Sequence, residues 1–151
     1  MQDFIVPKTD TKVNGKVRLD YAFQLKAQYD PLQLYRTTRG GRVHQGVTGG
    51  GIDSPRLKAT VLPDSGGQYD TVQDGKVREI NAHFMLHADN GEWLQVSHTG
   101  FRRPDGYYRA FATFDADAKG AYDWLNNTTF MVTAEESPDL REVTFTYYVA
   151  N

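Results

Sequence analysis

The chain contains four histidines and no cysteine. Imidazole is therefore the side chain best placed to move protons near neutral pH, while disulfides, thiolate metal sites and thiol nucleophiles are excluded. His83 and His87 have the spacing that puts two zinc ligands on one face of a helix. No glutamate follows His83, so even a helix would not carry a zinc-protease signature. On a strand the two residues share a face but stand about 13 Å apart at roughly 3.3 Å per residue, too far to hold one ion. The strand is the preferred reading of this segment, and no metal ligand is assigned.

His98 falls on the apolar phase of its segment. Burial there would lower its pKa and keep the ring neutral, the form that accepts a proton from a bound substrate. A core histidine satisfied by a backbone or tyrosine partner explains the position at least as well. Tyr21 and Tyr147 lie on the apolar phases of their own strands and are candidates for that partner or for a proton donor. Asp123, beside Trp124, is an acid candidate if its surroundings are dry. The candidate catalytic set is His98, Tyr21 and Asp123.

Arginines mark two further segments. Tyr35–Arg56 carries Arg36, Arg39, Arg42, His44 and Arg56 among glycines, a composition suited to an anion-binding loop. It is not a Walker loop, because no Gly-Lys-Ser/Thr closes it. Glycines that let strands bend or approach closely explain the same residues. Phe101–Arg109 joins two strands with arginines and aromatics, a combination suited to a barrel mouth or to an oligomer interface. From this segment Arg102, Tyr108 and Arg109 are candidate ligand-binding residues. Phe84, Trp124 and Tyr147 are candidates for the apolar wall.

The elements that must position these groups read as strands. Val17, Leu19, Tyr21, Phe23 and Leu25 alternate with Lys16, Arg18, Asp20, Gln24 and Lys26, and period two means one buried face. Shorter runs cover 57–62, 68–73, 107–114, 128–133 and 141–150, separated by turn residues such as Asp74-Gly75 and Pro104-Asp105-Gly106. Lys76–Ala88 fits both periods, but Asp89-Asn90-Gly91 has the residues of a three-residue hairpin loop. In that register Leu86/Leu94, Phe84/Val96 and Ala82/His98 share an apolar face; a slip of one residue would mix both faces. Only 117–126 looks helical. The expected fold is all-β: one antiparallel barrel of about eight to ten strands over 16–151, one short helix near 117–126, and an N-terminal extension over 1–15.

The Gly-rich run Arg39–Gly51, followed by Ser54–Pro63, resembles the signature of the DUF3237 (UPF0311) family. Asp74-Gly75 leading to Asn81–Phe84, then Gly91–Arg102, then Tyr122–Asn126 agree with it in order. The family usually reads Gly-Pro where this chain has Ser54-Pro55, and an Ala-Asp-Trp element where it has Gly67–Asp70. The resemblance implies a compact, homo-oligomeric β-barrel; it assigns no activity and no catalytic residue.

Seventeen Lys and Arg against nineteen Asp and Glu give a net charge of −2, so no electrostatic footprint for nucleic acid is present. No segment reads as membrane-spanning or as a leader, and a cytoplasmic location is expected. The functional expectation is a small-molecule-binding barrel that needs no cofactor and acts as an isomerase or cyclase. The alternative is a non-catalytic ligand-binding protein or oligomeric scaffold.

Overall fold

Alternation along the chain becomes ten antiparallel strands in the computed structural model, which describes residues 17–73 and 76–151. They are β1 (Leu19–Tyr29), β2 (Gln33–Thr37), β3 (Gly40–Asp53), β4 (Lys58–Val61), β5 (Gly67–Gln73), β6 (Val77–Ala88), β7 (Trp93–Arg102), β8 (Tyr108–Asp115), β9 (Phe130–Glu136) and β10 (Glu142–Ala150). The expected extension at 1–15 and the Asp74-Gly75 turn lie outside the described residues.

Neighbouring strands run β1-β10-β9-β8-β7-β6, then β4 and β5 side by side in sequence along β3, and β3 returns to β1. This closes an eight-stranded barrel, which leaves the wall no free edge. β2 pairs only with β3 and overhangs one end. The segment Tyr35–Arg56 is thus not one anion-binding loop: it runs from the end of β2 through the whole of the 14-residue β3. The first half of β3 pairs with β2 and β5, its second with β1 and β4. Such a strand must bend sharply, and Gly50 supplies the bend at φ +118°, a conformation glycine adopts freely.

β6 is a strand, and the β6–β7 hairpin has the register expected from its loop. Leu86 faces Leu94, Phe84 faces Val96 and Ala82 faces His98. Gly91 sits at φ +93°, and its N–H donates to the Ala88 carbonyl. His83 and His87 both point outward, where they stack on Tyr69 and Trp93.

β1 departs from simple alternation. A bulge between Tyr21 and Phe23 places Ala22 and Phe23 both inside, which turns Tyr21 to the outer surface at 60% exposure. The helix is shorter than expected, a single 3-10 turn at Asp123–Asn127. It drops Leu125 into one barrel end against a cluster of Phe23, Phe114 and Phe130. Trp124 packs on Phe130 and carries the Arg56 guanidinium over its outer face. That end is plugged. Among the described residues no helix is long and apolar enough to cross a membrane.

A Cβ on residue 50 would collide with the Lys26 carbonyl oxygen, as well as requiring an unfavourable φ. Gly50→Ala is expected to cost about 2–4 kcal/mol. Urea unfolding followed by tryptophan fluorescence measures it.

Candidate functional site

The end opposite the plug is polar inside. The β6–β7 register sets Arg78 opposite Arg102, and β7–β8 sets Arg102 opposite Tyr108. Arg78 and Tyr108 are buried, and Arg102 is half-buried. β5 contributes Gln68 and Asp70 from the same inward phase, and β9 contributes Glu136 at its last residue.

Two ion pairs hold the arginines. Arg78 Nη2 donates to Asp70 Oδ2 at 2.8 Å and to Gln68 Oε1 at 2.6 Å, while its Nε donates to Asp70 Oδ2 at 3.2 Å. Asp70 Oδ1 accepts the Asn81 backbone N–H at 2.9 Å. Burial still raises the Asp70 pKa, against the pull of the Asn81 N–H and the Arg78 charge. Arg102 grips Glu136 in two-pronged fashion, with Nη2 at 2.7 Å from Oε1 and Nε at 3.1 Å from Oε2.

Arg78 and Arg102 stand at the floor of a cavity of about 910 Å³ that opens at this end. Its walls are apolar at Leu32, Leu34, Val43 and Val72, and Arg36 and Lys76 complete the rim. Leu34 and Arg36 belong to β2, every residue of which is exposed.

Beneath lies a tyrosine–histidine–tyrosine row. His98 is 1% exposed; its Nδ1 is 3.1 Å from Tyr108 Oη and its Nε2 is 2.7 Å from Tyr147 Oη. Phe145 packs edge-on against the ring. Desolvation drives the His98 pKa down to about 3, so the ring is neutral, with one nitrogen donating and the other accepting. Burial likewise pushes both tyrosines well above their ordinary range. Both imidazole nitrogens are thus occupied, and no lone pair is left for a substrate proton. The arrangement is that of a core histidine satisfied by tyrosine partners.

The other sequence candidates divide. Tyr147 and Phe84 are inside and fully buried, and Tyr108 and Arg102 join the polar end. Tyr21 does not meet His98, because the β1 bulge faces it outward, where its ring meets Tyr148. Asp123 lies on the 3-10 turn at the plugged end, where Asn126 Nδ2 donates to it at 2.9 Å. Trp124 is part of the plug rather than a wall of the open cavity. Arg109 points outward on β8, placing its guanidinium 5.1 Å from the Tyr107 ring centroid, and lines a second depression of about 850 Å³ on the outer wall with Phe101 and Phe111.

Five residues of the polar end escape a search for histidines and arginine clusters: Tyr29, Gln68, Asp70, Arg78 and Glu136. Their one signal is phase. Arg78 lies two residues before Ile80, on the side of β6 that must face the core, and Gln68 and Asp70 occupy the inward phase of β5. Tyr29 closes the inward phase of β1. Its hydroxyl is buried with no hydrogen bond among the described residues. Burial pushes its pKa up.

Residues 17–150 match the family described as "Protein of unknown function (DUF3237)". The chain belongs to this family. No curated protein matches the sequence. Among solved structures, a β-barrel-like protein from Acinetobacter baumannii is similar with a TM-score of 0.79 at 19% identity, over 89% of this chain and 96% of the other. A conserved protein of unknown function from Rhodopseudomonas palustris gives 0.78 at 18% identity, over 89% and 97%. An enzyme from Penicillium herquei gives 0.73 at 20% identity, over 90% and 96%. At these identities the likeness shows the barrel fold alone.

Two measurements test the buried polar groups. His98 binds a proton in the unfolded chain near pH 6.5 but in the fold only near pH 3. Its contribution to stability is therefore complete above pH 6.5 and is lost as pH falls toward 3, at up to about 1.4 kcal/mol per pH unit. His98→Gln should remove that component of slope from urea midpoints measured across this window. Tyr29→Phe removes a buried hydroxyl that has no partner, so unfolding free energy should stay level or rise by about 1 kcal/mol; a fall of that size would mean that the hydroxyl is bonded.

Proposed function

We propose that this protein is a small-molecule enzyme of the barrel-mouth cavity, catalysing a proton-transfer isomerisation or ring closure without a cofactor. The observation that carries the reading is the pairing of Arg78 and Arg102 on the cavity floor, each guanidinium already held in place by a carboxylate. Fixed cations in a partly desolvated site stabilise an oxyanion as it develops and need no reorganisation to do so. The apolar walls exclude water and orient the carbon skeleton.

In this scheme Glu136, ion-paired to the cavity residue Arg102 and one-fifth exposed, takes a proton from the substrate as the oxyanion forms, and returns it at a second position. The net reaction is then a rearrangement with no change in composition. Tyr108, opposite Arg102 and buried beneath the cavity, supports the floor and keeps its proton, because burial makes its phenolate costly. His98 acts through Tyr108 as a positioning residue. That a structurally similar protein from Penicillium herquei is an enzyme agrees with a catalytic use of this fold, but says nothing of substrate.

Small molecules released on denaturing the purified protein can be identified by mass spectrometry and returned to fresh protein in D2O. An enzyme of this kind converts the compound to an isomer or washes deuterium into it, and Glu136→Gln slows that exchange by about 100-fold or more while binding persists. A compound that binds and is recovered unchanged and unlabelled would make the protein a carrier.

A further inference from the structure

Among the described residues, the cavity rim holds more cation than its acids neutralise. Of the four positive side chains that line it, Arg78 is answered by Asp70 and Arg102 by Glu136. Arg36 and Lys76 form no ion pair with any described residue, and both are exposed. Between these charges the lining is aliphatic, and Leu34 leaves 70% of its surface open on the overhanging β2. Apolar side chains at Leu32, Leu34, Val43 and Val72 beside cations without an ion-pair partner suit a ligand that brings both an apolar body and a negative group.

We infer that the molecule taken by this cavity is an organic carboxylate, its apolar skeleton against Leu32, Leu34, Val43 and Val72 and its carboxylate between the Arg36–Lys76 side of the rim and the floor arginines. This rests on the cavity being the ligand site proposed above, and adds the chemical class. A carboxylate matches the planar fork of Arg36 better than a point anion does, the Nε–Nη2 edges of Arg78 and Arg102 being held by Asp70 and Glu136. A phosphate is less suited: the cavity wall is aliphatic and no described helix opens onto it to supply the row of backbone N–H groups such ligands use.

The test compares 2-naphthoate with 2-naphthamide, which share a ring system and differ in charge, by calorimetric titration of the full chain. The expected result is at least tenfold tighter binding of 2-naphthoate, weakening as salt is raised. Arg36→Ala/Lys76→Ala should abolish the preference while leaving 2-naphthamide affinity and the melting temperature unchanged, since both side chains are exposed. Equal binding of the two probes by the native protein would overturn the carboxylate assignment and leave the cavity reading standing. A preference that survives intact in the double variant would overturn the role given to the rim. Binding of neither probe at millimolar concentration would remove the cavity reading itself, and this inference with it.

Discussion

Facing in a β-barrel is decided by register, and here the register of the longest hairpin is set by three residues. Asp89, Asn90 and Gly91 close the β6–β7 turn with glycine at positive φ. From that point the two-residue period runs down both strands, bringing Leu86, Phe84, Ala82, Ile80 and Arg78 to the interior opposite Leu94, Val96, His98, Gly100 and Arg102. A slip of one residue would set inward residues of one strand beside outward residues of the other: with β7 held in place, Arg78 would go to solvent and His83, Met85 and His87 would turn inside. The buried imidazole and the inward facing of both floor arginines follow from this one alignment.

The interior changes character along its axis. Toward the plug it is a packed aromatic cluster, with ring centroids such as those of Phe114 and Phe130 5.2 Å apart. Toward the mouth it holds charges that an apolar core would not tolerate, and each is compensated. Arg78 brings Asp70 and Gln68 with it, and Arg102 brings Glu136. Burying a guanidinium costs several kcal/mol unless a partner of good geometry answers it. Buried pairs of this kind often contribute little net stability compared with aliphatic side chains of similar volume. His98 and its two tyrosines are the boundary between the halves: polar enough to bond one another, and sealed enough that the ring stays neutral.

How far the sequence reaches can be judged residue by residue. The pairing of Ala82 with His98, and hence the burial of His98, followed from the turn chemistry of Asp89–Gly91 and the alternation on either side. The same alternation misled at Tyr21, because a bulge at Ala22 needs no special residue and leaves no mark in the pattern. It was silent on β3, where glycines blur the period, and on Asp123, whose place at the plugged end depends on where the barrel closes. Arg109 looked equivalent to Arg102, yet one residue of phase separates the outer wall from the mouth.

Local chemistry along the chain thus determined the all-β class, most strand positions, the β6–β7 register, the neutral buried histidine and the family, since each depends on residues near one another in sequence or on alternation within one strand. Closure of β1 onto β3, the gathering of Tyr29, Asp70, Arg78 and Glu136 from four strands, and the choice of which end is plugged were decided only in three dimensions. The physical reason is that a side chain's phase says whether it faces inward. Only closure and stagger of the wall say which other inward groups stand at the same height, and that height decides whether a buried charge meets its partner.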